Sequence, residues 1–273
     1  AMKTKFLAAP YILWMALFSI IPLCVVLYFA FTDLNTGAFT IENIARLGDY
    51  LPIFAKSVWL ALVSSFICLL IGYPVAYYIA GRSSLMQRLL YMLIMLPMWM
   101  NFLLRTMAWV AMLEDTGIIN SFIKLIGIDP LPLIRNDGAV ILGMVYNYLP
   151  YMIMPLYTVI MKIDRSLIEA AQDLGCSSGQ VFKSVILPLS LPGIISGFTM
   201  VFVPAISTFY ISQKLGSPGT TLIGDVIESQ FKTAYNPNLG AALSLGLMVI
   251  AIACVAIMNR FSPDDDEGGV VTL

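Results

Sequence analysis

The sequence of 273 residues contains no histidine, and only 11% of its residues are charged. The absence of histidine excludes histidine-based acid–base catalysis, histidine metal sites and histidine proton relays. Soluble domains have about 25% charged residues, so this chain lacks the polar side chains that would cover a surface in water. Its net charge of −1 also excludes the basic face that nucleic-acid binding requires. We therefore expect a membrane protein in contact with lipid, and neither a soluble enzyme nor a nucleic-acid binder.

Three further features are missing. The four cysteines form no CxxC pair, so neither a zinc site nor a thioredoxin-like motif is predicted. No GxxxxGK[ST] phosphate-binding loop occurs, which predicts that this chain does not bind ATP. The long apolar runs contain no Asp or Glu, whereas a proton-coupled carrier needs a titratable group inside its helix bundle. We expect no catalytic residue, metal or cofactor on this chain, and an energy source other than a proton gradient.

Apolar residues make up 59% of the chain, and they are arranged in long uncharged runs. Five of these runs exceed the roughly 20 residues that a membrane-crossing helix needs, and a sixth is interrupted at Arg105. The runs do not alternate polar and apolar residues, which excludes the strands of a β-barrel. The sequence therefore predicts an all-α membrane protein with six transmembrane helices near residues 6–31, 57–80, 89–113, 139–161, 185–212 and 239–258.

An even number of spans places both termini on one side of the membrane. If that side is cytoplasmic, its segments carry eight lysine and arginine residues and the outer segments carry six. Positive charge favours the cytoplasmic side, so we predict that both termini lie inside. Residues 261–273 are then an acidic cytoplasmic tail. The first run is expected to be a retained span, because it is longer than the apolar region of a signal peptide.

The connection at residues 164–184 is predicted to form two short helices. Ser166 and Glu169 fit a capping box, in which each side chain binds a free backbone N–H near the start of a helix. Ser177 and Gln180 repeat the pattern at the start of the second helix. Capping of this kind indicates an ordered segment, whereas an ordinary connector between spans would be short and irregular.

The first of these helices is expected to carry one apolar stripe and to end at Gly175, where a left-handed residue would terminate it. The stripe consists of apolar residues at helical spacing: Leu167, Ala170, Ala171 and Leu174. A helix of about eight residues is not stable alone, so its stripe must dock on something. The chain's own bundle, lipid headgroups and a separate cytosolic protein all remain open as the partner of the stripe.

At these residues the chain resembles a known family. Glu169-Ala170-Ala171, Gly175 and Val185-Ile186-Leu187-Pro188 are similar to the EAA motif of ABC-importer permeases, EAA-x3-G-x9-I-x-L-P. Val185 is the one departure from the fixed positions. The resemblance implies the type I permease architecture, as a single transmembrane domain over residues 1–260. It also implies a coupling helix that sits in a cleft of an ATPase subunit and includes Leu167, Glu169, Ala170, Ala171, Leu174 and Gly175.

The resemblance also implies partners and a class of cargo. The partners are a second permease subunit, a dimer of ATPase subunits that holds ATP and Mg, and an extracellular or periplasmic solute-binding protein. Residues 96–101 with Arg105, and residues 149–157, resemble the spermidine/putrescine permeases of this family. Polyamines are therefore the expected cargo. The alternatives are an importer of another small solute, such as an amino acid or sulfate, and a stand-alone carrier or channel.

The ammonium groups of a polyamine need partners, and the uncharged runs offer aromatic faces and amides. A cation over an aromatic face gains about 0.5–2 kcal/mol, which is weak enough to release the cargo again. The expected passage residues are Trp99, Asn101, Trp109, Tyr146, Tyr148 and Tyr151. The alternative is that these aromatic residues fill the core or form belts at the membrane interface.

Three charged residues have open roles. Arg105 is expected to snorkel to lipid headgroups, to act as a gate, or to pair with Glu114 or Asp115. Asp225 and Glu228 fall in the last outer loop, where they either contact substrate or the binding protein, or are simply solvated.

Overall fold

The computed structural model describes residues 10–11, 13–34 and 36–260. Within these residues the secondary structure is helical, apart from one isolated bridge between Thr32 and Phe39. The predicted all-α class is therefore confirmed. The predicted tail at 261–273 and the beginning of the first predicted span lie outside the described residues.

The α-helices are numbered in chain order. They are α1 Ile21–Ala30, α2 Glu42–Ala45, α3 Leu51–Ala80, α4 Ser84–Met95, α5 Phe102–Leu113, α6 Ile118–Leu125, α7 Asp137–Ile160, α8 Arg165–Asp173, α9 Ser178–Val181, α10 Leu187–Leu189, α11 Leu191–Ile206, α12 Tyr210–Leu215, α13 Ile223–Lys232 and α14 Pro237–Arg260. Two π-helical segments, Ala16–Ile20 and Phe182–Ile186, and two 3-10 segments, Arg46–Tyr50 and Leu96–Trp99, adjoin these helices.

The helices form up to six membrane spans. Four continuous stretches are long and apolar enough to cross a membrane: Leu13–Ala30, Glu42–Ala80, Asp137–Ile160 and Pro237–Arg260. Two bent pairs bring the number to six if each pair counts as one span: Ser84–Trp99 with Phe102–Leu125, bent by 87°, and Ser178–Leu189 with Leu191–Ile206, bent by 62°. The spans predicted at 89–113 and 185–212 are thus broken helices rather than single ones.

Both breaks contain proline and a polar residue. Pro97 lies in the 3-10 segment before the first break, and Asn101 then caps α5. At the second break, Ser190 separates α10 from α11, and each of these helices has a proline, Pro188 or Pro192, near its start. Proline has no N–H and clashes with the preceding turn, so it starts a new helix easily and continues an old one poorly.

The core is formed where α3, α7 and α11 cross one another. Glycines allow these backbones to approach closely, as is common between membrane helices. A Cβ atom at Gly72 would lie 3.1 Å from the Met152 side chain, and one at Gly197 would lie 3.0 Å from the Met152 carbonyl oxygen. The three helices are therefore held at a fixed spacing. We call the end of the bundle that carries α8 the α8 end.

The first span is packed against the chain mainly at one end. Ala30 is its buried residue among those described, and two asparagine amides hold the residues that follow it. Asn238 Nδ2 donates to the Thr32 carbonyl at 2.6 Å, and Asn43 Nδ2 donates to the same oxygen at 2.9 Å. The other large side chains of this span are apolar and mostly exposed, which suits contact with membrane lipid.

Candidate coupling site and solute passage

Helix α8 begins one residue after Asp164, whose carboxylate accepts a hydrogen bond from the Ser166 backbone N–H at 3.0 Å. This bond, assisted by the Ser166 side chain, holds the pKa of Asp164 below its ordinary value. The predicted capping box between Ser166 and Glu169 is therefore wrong, because the helix starts earlier and Asp164 satisfies the free donor. Glu169 is exposed and has neither a hydrogen bond nor an ion pair among the described residues.

Helix α8 ends as the sequence predicted. Gly175 has φ +84°, and a Cβ atom there would meet no atom within 4 Å. Its N–H donates to the Gln172 carbonyl at 2.8 Å, and the Cys176 N–H donates to the Ala171 carbonyl at 3.1 Å. These two bonds form a Schellman motif. Glycine is required at this position by the backbone conformation, and not by crowding.

The apolar stripe of α8 faces away from the rest of the chain. Leu174 is 86% exposed and Leu167 is 48% exposed. Ala170 is exposed as well, while Ala171 is half-buried. Ile168 points inward, where it lines a cavity of about 230 Å³ at the junction of α3, α7 and α8. The helix is thus attached through Ile168 and presents its stripe outward, so the chain's own bundle does not cover the stripe.

The second helix of the connection, α9, leads into a π-helical segment that contacts α3. The predicted capping box is confirmed: the Ser177 N–H donates to Gln180 Oε1 at 2.8 Å. The π-helical segment that follows begins with Phe182, whose ring meets Tyr73 edge-on at 5.6 Å and Tyr77 edge-on at 6.3 Å. Phe182 therefore joins the connection to the inner part of the bundle.

The break between α10 and α11 is also joined to α3. A hydrogen bond of 2.8 Å links the hydroxyls of Tyr73 and Ser190, and Ser190 Oγ lies 2.9 Å from the Leu187 carbonyl oxygen. Tyr73 thus contacts both Phe182 and Ser190. The π-helical segment and the bend in this span are therefore both held against α3 through one residue.

Sequence reasoning missed four residues of this site: Asp164, Ile168, Phe182 and Ser190. A signal for the first was present, because aspartate is among the preferred N-cap residues and precedes the helix. The roles of the other three depend on contacts between segments far apart in the sequence, which no local pattern shows.

Two substitutions separate the roles of the acidic residues of α8. Asp164→Ala is expected to fray the first turn, because the Ser166 N–H loses its acceptor. Glu169→Ala should leave the helix intact. The measurement is the labelling rate of a single cysteine at position 168, which is half-buried in the folded helix. The labelling rate should rise with Asp164→Ala and stay unchanged with Glu169→Ala. A rise with Glu169→Ala would show that Glu169 does cap the helix.

Four of the six predicted passage residues form two separate aromatic pairs on α5 and α7. The rings of Trp109 and Tyr146 meet edge-on at 5.3 Å, and those of Tyr148 and Tyr151 lie 6.5 Å apart. Tyr148 is buried, and its hydroxyl donates to the Pro204 carbonyl at 3.4 Å. Tyr146 also lines an apolar cavity of about 270 Å³ between α3, α4 and α7. One pair thus lies between α5 and α7, and the other lies within α7.

The other two predicted passage residues lie at the break in the third span. Trp99 is 80% exposed and has no ring partner among the described residues. The Asn101 side chain accepts a hydrogen bond from the Leu103 N–H at 2.8 Å and so caps α5. The structure thus gives Asn101 a definite structural role, and it leaves Trp99 free to contact lipid or another chain.

The predictions for the three charged residues are changed by the structure. Arg105 is buried, so it does not snorkel, and no ion pair joins it to Glu114 or Asp115 in the described residues. Asp225 is half-buried and accepts hydrogen bonds from the Leu222 N–H at 2.8 Å and the Ser212 hydroxyl at 2.9 Å. Burial raises the pKa of this carboxyl, and the hydrogen bonds oppose that shift.

Glu228 is not free in solvent either. Its carboxylate accepts hydrogen bonds from Lys232 at 2.6 Å and from the Gln213 side chain, and the bond from Lys232 is the main cause of its lowered pKa. Both acidic residues of α13 thus serve to hold the segments at the end of the bundle opposite α8. Among the described residues, no group of three or more His, Cys, Asp or Glu side chains is placed to hold a metal ion.

Comparisons with known proteins show the family to which the chain belongs. Residues 69–263 match the family described as binding-protein-dependent transport system inner membrane component. The spermidine/putrescine transport system permease protein PotB of Haemophilus influenzae is 38% identical over 258 residues, which cover 90% of each chain. PotB of Escherichia coli K12 is 36% identical over 246 residues, covering 87% of this chain and 90% of the relative.

A solved structure shares the fold. A bacterial alginate ABC transporter, crystallised in complex with an alginate pentasaccharide-bound periplasmic protein, contains a chain that matches with a TM-score of 0.74 at 18% identity. The match covers 98% of this chain and 96% of the other. At that identity the likeness concerns the fold alone. The predicted architecture, that of a type I importer permease, is thereby confirmed.

Proposed function

The chain belongs to the family of binding-protein-dependent transport system inner membrane components, and on this basis we propose that it is the permease subunit of an ABC importer for polyamines such as spermidine and putrescine. The observation that carries the proposal is the identity of 36–38% with PotB proteins over about nine-tenths of the chain. The two aromatic pairs, Trp109 with Tyr146 and Tyr148 with Tyr151, support a cationic cargo, since aromatic faces attract cations without binding them tightly.

The proposed complex contains three further kinds of subunit. They are a second permease (PotC-like), two ATPase subunits (PotA-like) and a solute-binding protein (PotD-like) that delivers the polyamine from outside. ATP and Mg are bound by the ATPase subunits, which supply the free energy of hydrolysis. This chain contributes the passage and the contact that couples hydrolysis to movement, and it has no hydrolytic residue.

The proposed mechanism starts at the exposed stripe of α8. Leu167, Ala170 and Leu174 dock on the ATPase, and Gly175 fixes the direction in which the chain leaves the helix. Movement of the ATPase displaces α8 and α9 together. Phe182 and the Tyr73–Ser190 hydrogen bond carry that displacement to α3 and to the bend of the fifth span. Because α3, α7 and α11 are tightly packed, a change at this bend alters the whole bundle.

The orientation of the chain is tested by cysteine labelling. We expect α8 and both termini to face the cytoplasm, because lysine and arginine are denser in the segments at that end. On a background without the four native cysteines, a cysteine replacing Leu125 should react with an impermeant reagent added outside intact cells, since this residue is 82% exposed. A cysteine replacing Gln172 should react only after the membrane is opened. Labelling of position 172 from outside would reverse the orientation and remove the coupling mechanism.

The cargo and the energy source are tested by uptake of labelled solutes into proteoliposomes that contain the full complex. Spermidine and putrescine should enter only with ATP and the binding protein, and uptake should continue when a protonophore removes the proton gradient. The reason is that the long uncharged runs offer no titratable group for proton coupling. If the complex took up an amino acid or sulfate instead of polyamines, the chain would still be an importer permease, but the proposed cargo would be wrong. Uptake by this chain alone, driven by a pH gradient, would refute the proposal.

A further inference from the structure

The cavity of about 230 Å³ at the junction of α3, α7 and α8 lies where two membrane spans end. The spans Glu42–Ala80 and Asp137–Ile160 both finish at residues that line it, Ala80 and Ile160. The end of a membrane-crossing helix lies at the boundary between the hydrocarbon core and the headgroups. The cavity therefore lies at the level of the lipid headgroups at the α8 end of the bundle.

The side chains next to the cavity are those of a membrane interface. Tyr77 lines the cavity and Tyr78 follows it, and both rings are exposed. The Arg82 guanidinium lies 4.0 Å from the centre of the Tyr78 ring. Tyrosine is enriched at the headgroup level of membranes, and basic residues flank the spans on the cytoplasmic side. The residue types thus agree with the level that the span ends indicate.

The charged side chains on the rim of the cavity are mainly positive. Arg165 of α8 lines the cavity, and Arg82 and Lys162 each directly follow a lining residue. We call these three residues the basic rim. All three are exposed, and none of them forms an ion pair with another described residue. The basic rim therefore offers three positive charges to an anion.

The acidic residues of α8 do not neutralise the basic rim. Asp164 precedes Arg165, but its carboxylate is hydrogen-bonded to the Ser166 N–H at the start of the helix. Glu169 and Asp173 do not line the cavity, and neither is ion-paired in the part of the chain that the structure describes. The surface around the cavity thus keeps a net positive charge.

We propose that this cavity binds an anionic phospholipid of the adjacent leaflet. The lipid phosphate pairs with the basic rim, and the glycerol backbone with the start of an acyl chain enters the cavity between Ile160 and Ile168. Basic pockets between membrane helices bind anionic headgroups in this way. A lipid fits better than a free anion, because apolar side chains line most of the cavity and the spans end beside it. The proposal depends neither on the cargo nor on the ATPase.

The bound lipid would hold α8 without covering its stripe. Arg165 and Ile168 line the cavity, whereas Leu167 and Leu174 of the same helix are exposed and do not. A lipid in the cavity therefore contacts α8 on the side that faces α3 and α7. The helix would be fixed against the end of the bundle, with its stripe open to a partner.

The accessibility of a cysteine at position 168 measures whether the cavity is occupied. The full chain without its native cysteines and with Ile168→Cys is reconstituted, with any subunits that co-purify, in phosphatidylcholine vesicles with increasing fractions of phosphatidylglycerol. A neutral, membrane-permeant thiol reagent should label position 168 more slowly as the phosphatidylglycerol fraction rises. A cysteine replacing Gln172, which is exposed and does not line the cavity, is the control. Its labelling rate should not depend on the lipid.

Substitutions in the basic rim should weaken this protection. Arg165→Gln and Lys162→Gln should each raise the phosphatidylglycerol fraction needed for half-maximal protection about fivefold, the usual contribution of one cation near an anionic membrane surface. Lys162 precedes α8, so its substitution keeps the test decisive if Arg165→Gln loosens the helix. Lys183→Gln is the matched control. It removes an exposed cation of the same connection that does not line the cavity, and protection should be unchanged.

The proposal is overturned if phosphatidylglycerol does not slow the labelling of position 168, or if it slows position 172 equally. An effect of Lys183→Gln as large as that of Arg165→Gln would overturn it too, because the attraction would then be diffuse. Protection by inorganic phosphate in phosphatidylcholine vesicles would assign the cavity to a free anion instead. Protection in phosphatidylcholine alone that disappears when residues 261–273 are removed would assign it to the acidic tail. Polyamine uptake enters none of these readouts, so failure of the proposed function is seen separately.

Discussion

Gly175→Val is expected to lower ATP-dependent uptake by about tenfold or more while leaving the abundance of the chain in the membrane unchanged. Gly175 has φ +84°, a conformation that costs a non-glycine residue about 1–3 kcal/mol and is least tolerated by β-branched side chains. The strain can be relieved only by changing the backbone after α8, which breaks the two hydrogen bonds of the Schellman motif. The spans do not contact this residue, so insertion should be normal. Uptake, ATP hydrolysis and retention of the ATPase are the measurements.

Two controls separate backbone conformation from side-chain size. Gly175→Asn should keep most of the activity, because asparagine adopts the left-handed conformation more readily than other residues. Gly179→Ala lies four residues further on, where a Cβ atom meets nothing within 4 Å and φ is not left-handed, and it should be neutral. Wild-type uptake and ATPase retention by Gly175→Val would show that the connection between the fourth and fifth spans is an ordinary loop.

Leu174→Asp is expected to separate the permease from its ATPase without affecting the fold of the permease. Leu174 is 86% exposed in the isolated chain, so the substitution removes no internal contact. Burying a leucine at an interface contributes about 1.5–3 kcal/mol, and its loss alone would weaken association about ten- to a hundredfold. An unpaired carboxylate in an apolar contact weakens it further. Co-purification of the ATPase with the tagged permease measures the effect.

Gln172→Asp is the matched control for this substitution. It introduces the same charge two residues earlier on the same helix, on the face away from the stripe, and Gln172 is exposed too. Its side chain takes no part in the end of the helix, where only its carbonyl accepts a bond. Retention should therefore be close to that of the wild type. Equal losses from both variants would mean that added charge, and not the stripe, disturbs the complex.

The spans were predictable because the physical requirement is simple. A segment in hydrocarbon must be apolar and long enough to cross, so intervals between charges locate it. What the intervals did not reveal is where a span is broken. Pro74, Pro150, Pro155 and Pro204 lie inside continuous helices, whereas the prolines at 97, 188 and 192 lie at breaks. Whether a proline breaks a span depends on the neighbouring helices. A helix continues through proline where its neighbours supply hydrogen bonds to the backbone carbonyls that proline leaves unpaired, and it breaks where they do not.

The connection at residues 164–184, the proposed coupling site, was predictable in part for a similar reason. The helix end at Gly175 and the box at Ser177 depend on residues within one turn, and both were found from the sequence. The helix start was misplaced because Asp164 and Ser166 are both suitable caps, and the choice depends on where the chain leaves α7. Phe182 and Ser190 act through α3, about a hundred residues earlier in the chain, and so remained invisible.

The aromatic residues predicted to line the passage show how little composition reveals about contacts. Trp109 meets Tyr146 because α5 packs against α7, whereas Tyr148 and Tyr151 pair within α7, and the sequence identified the residue types but not these contacts. Arg105 was expected to reach water or a carboxylate, since burying a charge is costly. Its actual position inside the bundle follows from the break at residues 100–101, which starts α5 anew and turns this face inward.

The central claim is that α8 meets the ATPase through its exposed stripe. A photoreactive amino acid at position 174, in the assembled complex, tests it most directly, with position 125 at the opposite end of the bundle as the control. Illumination should cross-link position 174 to the ATPase subunit, and position 125 should give no such product. Cross-links from position 174 only to lipid or to this chain itself would contradict the proposed coupling.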